Sequence, residues 1–395
     1  MQTVNNQNSP VHFRLWHREF WQLAIAQMLL SVSVGMLIPT LPLWLFNEQN
    51  FSASQVGLSM GVFAIGLYLL GPFCSYLVQH YRRNAVCMWA VVGVAAAFGV
   101  LWYADRSRCT FVMPWVIVAV RLFMGAAFGL SQMVLASTLI IDITESYQRT
   151  EANHSSSWFS RFGLSLGPLI GILFLMYADF HTMLLAGLAA IAIALLLIGG
   201  VQFPFRVPSE RFSLCSTDRF LLFSSWPLWL FLLAVGLVTG MVFSLPLSAQ
   251  FYGFLMVGFL LALLAQRYVF REAELKSEVV SGLLLLLAAI LVILSQPAHT
   301  TDVVAAPLMG CGVGITASRL LLFFIKMSRH CQRGTSQSTC LLAWESGLSL
   351  GIGVGYAVFY VQPARLLYVA VGITVALLFV YTRILHDWFL NNKNR

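Results

Sequence analysis

Four ionisable side chains stand inside stretches that are otherwise apolar: Arg121, Arg161, Arg319 and Glu345. Taking a charge out of water into hydrocarbon costs at least ~2.5 kcal/mol even on the lenient insertion scale, so each is a candidate functional group. Glu345 is the one carboxylate placed within such a stretch, and a lone acid in that setting is suited to loading and releasing a proton. The competing reading for Glu345 is a structural ion pair with an arginine. Arg161 fits a gate or an interface salt bridge, and its length also lets it snorkel toward water. Arg319, nearer the end of its stretch, reads best as an interfacial anchor.

Other chemistry finds no footing. The eight histidines fall in loops, tails or segment ends without metal-ligand spacing, so no metal or other cofactor is expected. Seven cysteines form no Cys-x-x-Cys, and only Cys109 falls in an outer loop, so no disulfide is expected there. No Gly-x-Ser-x-Gly occurs, and an enzyme is not expected. Gly310-Cys311-Gly312-Val313-Gly314 and Gly351-Ile352-Gly353-Val354-Gly355 superficially resemble nucleotide loops. Both lie in apolar stretches and follow no strand pattern, so they read as helix-packing faces.

The elements that must carry the four charges follow from composition. Of 395 residues, 59% are hydrophobic and 10% charged, well under the ~25% charged of a soluble domain. A crossing helix takes ~20 apolar residues, so twelve use ~240 and leave pieces of ~12 residues between them. That excludes an attached ATPase domain, a soluble enzyme on an anchor and a DNA-binding protein; no nucleic acid partner is expected. The uncharged runs predict spans at Phe20–Asn47, Gln49–Tyr81, Asn84–Ala104, Phe111–Ile141, His154–Tyr177 and His181–Phe203. Phe220–Gln266 is too long for one crossing, and Pro246 among Ser244, Ser248 and Gln250 divides it into two. Val279–Ser295, Val303–Met327, Cys340–Val361 and Ala364–Ile384 complete twelve.

With the N-terminus inside, seventeen of the 23 Lys and Arg fall in cytoplasmic pieces, against Arg106, Arg108 and Arg365 outside. The bias predicts both termini in the cytoplasm. The polar start Met1–Pro10 and the lack of a small-residue cleavage site argue against a removable signal peptide. Short loops favour a bacterial inner membrane. Trp44, Tyr68 and Trp89 read as interfacial belt residues.

The chain echoes itself. Gly163-Leu164-Ser165-Leu166-Gly167 returns 184 positions later as Gly347-Leu348-Ser349-Leu350-Gly351, and Leu77-Val78-Gln79-His80-Tyr81 returns 187 later as Leu264-Ala265-Gln266-Arg267-Tyr268. The offset makes Arg161 and Glu345 equivalent positions of opposite charge, each ~8–10 Å deep by the predicted starts. Residues 1–203 and 226–395 thus read as two six-helix halves, joined by the polar linker 204–225. Parallel six-helix repeats belong to transporters, with the substrate near the midplane between them.

At this point the chain resembles the major facilitator superfamily, in its drug/proton-antiporter-like twelve-helix branch. Arg121-Leu122-Phe123-Met124-Gly125, continuing to Gly129, is similar to that family's Arg-x-x-x-Gly motif on helix four. Gly163-Leu164-Ser165-Leu166-Gly167-Pro168-Leu169-Ile170-Gly171 resembles the Gly-x-x-x-Gly-Pro-x-x-Gly of its exporters, and Pro39-Thr40-Leu41-Pro42 is also familiar there. In the loop after span two the family's Asp is replaced by Gln79, while Arg82 and Arg83 keep the basic cluster.

The resemblance implies an all-α integral membrane protein of two pseudo-symmetric six-helix bundles, in which helix five abuts helix eight and helix eleven abuts helix two. It implies proton-driven efflux of a small organic solute, with Arg121 serving proton transfer or contact with a substrate anion; pairing with helix-end carbonyls is the bland alternative. Gln27 and Ser31 are candidate cavity residues. Gly163, Gly167, Pro168 and Gly171 make a bent, close-packed helix at the seam between the halves, and Gly347 and Gly351 repeat it. Three arginines against one glutamate favour an anionic, zwitterionic or amphipathic cargo. Protons and the bilayer are the other expected partners, and a monomer is favoured. A metabolite importer or facilitator, a lysolipid flippase, and a non-transporting sensor or scaffold on this fold are the alternatives.

Overall fold

The computed structural model describes residues 15–106, 113–203, 213–270, 274–295, 301–329 and 332–394, and among these every regular element is a helix. Cys109, Arg108, the chain start and the first part of the linker lie outside the described residues. Twelve helices are long and apolar enough to cross a membrane: α1 Arg18–Asn47, α2 Ala53–His80, α3 Arg83–Arg106, α4 Pro114–Asp142, α5 Arg149–Tyr177, α6 Phe180–Gly199, α7 Phe223–Phe243, α8 Ala249–Tyr268, α9 Leu275–Ser295, α10 Asp302–Met327, α11 Arg333–Phe359 and α12 Pro363–Asn392. The long uncharged run does break around Pro246, between α7 and α8.

Local signals set many of the starts. Ser52 and Gln55 close a reciprocal capping box on α2, Asp179 accepts from the Thr182 amide at α6, and Ser248 accepts from the Phe251 amide at α8. Pro114 and Pro363 occupy first-turn positions of α4 and α12, where their missing N–H costs nothing. Hydropathy misplaced the starts of α5 and α11 most. Helices α5 and α11 begin at Arg149 and Arg333, not near His154 and Cys340. The α11 extension includes Thr335-Ser336-Gln337-Ser338-Thr339, five consecutive buried polar residues that an apolar-run criterion cannot see.

The two halves repeat one packing plan. Helix α1 packs on α5 and α6, α2 on α4, and α3 on α4 and α6; likewise α7 packs on α11 and α12, α8 on α10, and α9 on α10 and α12. Close glycine crossings fall at matching places. A methyl on Gly66 would collide with the Leu122 carbonyl and lie 3.0 Å from Gly125 Cα, and one on Gly258 would collide with the Pro307 carbonyl and lie 2.9 Å from Gly310 Cα. The halves meet through α2 against α11 and α5 against α8, the arrangement the resemblance implied.

Helices α5 and α11 do stand at the seam, but Gly163, Gly167, Gly171, Gly347 and Gly351 face inward within each half. Methyls on Gly163, Gly167 and Gly171 would collide with α1 at Ser31 Cβ (2.5 Å), the Val32 carbonyl (2.6 Å) and the Met36 carbonyl (2.7 Å). Gly347 and Gly351 stand equally close to the Leu233 and Leu237 carbonyls of α7. Pro168 is buried within α5 beside Gly35 of α1. Gly125 and Gly129 press α4 onto the Phe63 and Leu67 carbonyls of α2. The glycine-rich runs of α10 and α11 are packing faces: Gly310 meets α8, Gly312 meets α9, and Gly353 meets Gly57 and Gly61 of α2.

The described part of the linker straps one end of the molecule, the end at which α1 begins and α12 ends. The Ser216 amide donates to the Pro72 carbonyl (2.9 Å), and the Phe220 ring covers Gly71, where any side chain would clash. The Arg219 and Leu222 amides donate to the Thr335 and Thr339 hydroxyls of α11 (2.9 and 2.8 Å). Arg219 holds φ 59°, a left-handed conformation uncommon outside glycine, and its guanidinium donates to Thr138 of α4 (3.1 Å). The linker thereby touches both halves.

Candidate functional site between the halves

Arg121 and Glu345 flank the same stretch of α2 from opposite halves. The buried Arg121 guanidinium lies over the Phe63 ring (4.7 Å), with Nε 3.4 Å from the Ser59 carbonyl and Nη1 3.4 Å from Met124 Sδ. No carboxylate among the described residues pairs with it. On α11 the Ser349 hydroxyl donates to the Met60 carbonyl (2.7 Å), and Ser346 shares a hydrogen bond with the Tyr68 hydroxyl (2.9 Å). Glu345 therefore stands level with the Tyr68 end of that stretch, about one to two helical turns nearer the linker end than Arg121, which stands level with 59–63.

Helix geometry orients Glu345. Val354 and Val358, 36% and 67% exposed, mark the lipid face of α11. Nine residues at ~100° each put Glu345 about half a turn round from Val354, facing the interior. The side chain is half-buried, and no described residue gives it a hydrogen bond or an ion pair. It lies twelve residues into α11, as Arg161 lies twelve into α5, about 18 Å along the axis. Both are thus about twice as deep as the predicted starts implied.

Arg161 bridges the halves without a counter-ion. Its Nη1 donates to Ser157 (3.2 Å) and to Ser318 of α10 (2.8 Å), and its guanidinium lies over Trp158 (4.8 Å). The neighbouring Arg319 departs from expectation. It is no surface anchor, because it makes a two-pronged ion pair with Glu278, Nε to Oε2 at 2.6 Å and Nη2 to Oε1. Glu278 is fully buried, since α9 starts at Leu275. It is a buried carboxylate in the first turn of a crossing helix, one that a span starting at Val279 overlooked. Subtracting this pair leaves Arg121, Arg161 and Glu345 as charges without a counter-ion.

The expected cavity residues divide. Gln27 is fully buried and spent on α5, accepting from Ser156 (2.5 Å) and donating to Ser160 (2.8 Å). The Ser31 hydroxyl next to it is buried without a partner among the described residues. The same holds for both amide atoms of Gln132 on α4, Trp158 Nε1 on α5, the Tyr252 hydroxyl on α8, and Gln337 Oε1 and Ser338 Oγ on α11. Buried polar groups are normally satisfied, so each of these is a place where water or a polar solute would complete the hydrogen bonding. Sequence reasoning missed these residues because each is an ordinary polar residue in an apolar helix.

Of the belt residues, only Trp89 fits, at 74% exposed. Trp44 is buried and donates to Asp105 (2.9 Å), and Tyr68 joins Ser346 and Trp229 across the seam. Gln79 lies in the last turn of α2 rather than in the loop after it and donates to Ser75 of the same helix (2.8 Å), while Arg83, the first residue of α3, forms an ion pair with Asp142 at the end of α4. Arg82 stands at the rim of an apolar groove that also includes Trp89 and Phe123.

Comparison with known proteins agrees with this architecture. Human organic anion transporter MFSD10 superposes with TM-score 0.68 at 17% identity, covering 92% of this chain and 99% of that one. Nucleoside transporter NupG superposes with TM-score 0.66 at 15% identity, over 92% of this chain and 98% of that one. The class H tetracycline resistance protein of Pasteurella multocida is 24% identical over 183 residues, which is 46% of this chain. The match spans 42% of that relative's length. The model of the Major Facilitator Superfamily matches residues 23–352. On fold, repeat and family match together, the chain belongs to the major facilitator superfamily of membrane transporters.

Proposed function

We propose that the protein is a proton-coupled exporter of a small organic solute bearing an anionic group, zwitterionic or amphipathic in character, and that it works by alternating access. The observation that carries this reading is the pair of opposite, unneutralised charges, Arg121 and Glu345, held by different halves on either side of α2. Arg121 takes the acidic group of the cargo. Glu345 takes its cationic group or, in exchange, a proton. Competition between cargo and proton for one carboxylate is the physical basis of antiport: each empties the site for the other. Names among the similar proteins, a tetracycline resistance protein and an organic anion transporter, support a cargo of this kind. The linker end faces the cytoplasm in this reading, following the Lys and Arg bias.

The test is internal pH in proteoliposomes during solute pulses, over a panel of organic anions, zwitterions, cations and neutral amphiphiles. Wild type is expected to move protons opposite to one anionic or zwitterionic class. Glu345→Gln is expected to abolish that proton movement while retaining solute binding, and Arg121→Gln to weaken binding at least tenfold. Proton-coupled flux unchanged in Glu345→Gln sinks the proposal.

A further inference from the structure

At the linker end a cavity of about 160 Å³ opens where α4, α5, the linker and α11 converge. Three arginines line it, one from each of three separate pieces of chain: Arg149 begins α5, Arg219 sits in the strap, and Arg333 begins α11. The two acids beside them are occupied. Asp142 pairs with Arg83 of α3, and Asp218 lies 3.8 Å from Arg219 and accepts from the Thr335 hydroxyl (3.2 Å). Arg149 and Arg333 have no counter-ion among the described residues, and Arg149 Nε is buried without a hydrogen-bond partner. The surroundings add to this positive surplus. Two helices of 29 and 27 residues point their N-termini at the cavity, and each helix start carries unpaired N–H groups and a partial positive charge. Hydroxyls of Ser137 and Thr138 complete the wall.

We infer that this cavity binds a tetrahedral oxyanion of the phosphate class and that the bound anion fastens the two halves and the linker together. The groups that would hold it come from α4 and α5 on one side and from α11 on the other. Gly334 shows how close the halves already stand here, because a methyl on it would collide with the Ser137 carbonyl. An anion shared by Arg149, Arg219 and Arg333 favours this joined arrangement over any in which the ends separate. The site is remote from Arg121 and Glu345 and requires no particular cargo.

The experiment titrates inorganic phosphate into purified, delipidated full-length protein in an uncharged detergent and follows the thermal unfolding midpoint, with chloride at matched ionic strength as control. Phosphate is expected to raise the midpoint saturably. Arg149→Gln and Arg333→Gln are expected to weaken half-saturation at least tenfold, whereas Arg267→Gln, on α8 outside the cavity, leaves it unchanged. If the Gln variants do not fold, Arg149→Lys and Arg333→Lys serve, with several-fold weakening expected from loss of the planar fork. A second arm compares nanodiscs with and without phosphatidylglycerol. An anionic lipid that raises the midpoint and removes the phosphate response identifies a headgroup as the source of the anion; a phosphate response that persists identifies a free oxyanion. Equal stabilisation by chloride, or a phosphate response undiminished in the cavity variants, overturns the inference.

Discussion

At the scale of single residues, the deciding question is which buried charges have partners. Glu278 and Arg319 satisfy one another in two contacts, and Glu278 is out of solvent altogether. Breaking such a pair from one side strands a charge, whereas replacing both partners often costs little. Glu278→Gln alone or Arg319→Met alone is therefore expected to cost ~3–5 kcal/mol. The double variant Glu278→Leu/Arg319→Met is expected to recover most of that, read as unfolding midpoints in one detergent. Equal losses in single and double variants would mean that the pair is not the unit. Glu345 behaves differently, because it has no partner to lose. Glu345→Gln is expected to leave the midpoint unchanged or to raise it, because it removes an unpartnered charge and breaks no contact, even as proton movement stops. The sequence marked Glu345, Arg121 and Arg161 through their apolar surroundings. It could not separate them from Arg319, because pairing with Glu278 depends on α9 and α10 lying side by side.

Among the elements, glycine spacing records which helices touch. Gly167 faces α1 with no room for a side chain: its added methyl would meet the Val32 carbonyl at 2.6 Å and Gly35 backbone at 2.9 Å. Backbone cannot rotate away as a side chain can, so Gly167→Val is expected to lower the unfolding midpoint sharply, by ~1–3 kcal/mol or more. Gly372, within α12, has nothing within 4 Å of the same added methyl. Gly372→Ala is expected to stabilise by ~0.5–1 kcal/mol through helix propensity alone. Reversal of that order would show that the glycines are not packing contacts. Helix number and most boundaries were legible because hydrophobic length is a local property. The starts of α5 and α11 were not, since Thr335–Thr339 is polar in sequence and buried only by the opposing half and the strap.

For the whole molecule, the seam is held at both ends. At the linker end the strap ties Pro72 and Thr138 of one half to Thr335 and Thr339 of the other. At the far end Phe46 of α1 stacks on Tyr360 just after α11, with ring centroids 4.7 Å apart. Alternating access requires each end to part in turn, so a short covalent link across either one should stop the cycle. A thiol cross-linker applied to Phe46→Cys/Tyr360→Cys is expected to abolish transport in proteoliposomes, with a cleavable linker restoring it on reduction. Undiminished transport in fully cross-linked protein would exclude rocking about this seam.

What the sequence determined by itself was whatever follows from composition and short-range spacing. An apolar chain with few charges must live in lipid, the apolar runs number the helices, and a repeated pentapeptide at a fixed offset declares two related halves. The family resemblance rested on those same local motifs. The tertiary structure decided the rest: that Gly163, Gly167, Gly171, Gly347 and Gly351 serve contacts inside each half, that Arg319 is neutralised, that Gln27 is spent on α5, and that Arg121 and Glu345 flank α2 from different halves. The physical reason is the same each time. Whether a charge is free, or a polar group buried, depends on what lies across a helix interface, and those neighbours come from residues tens to hundreds of positions away along the chain.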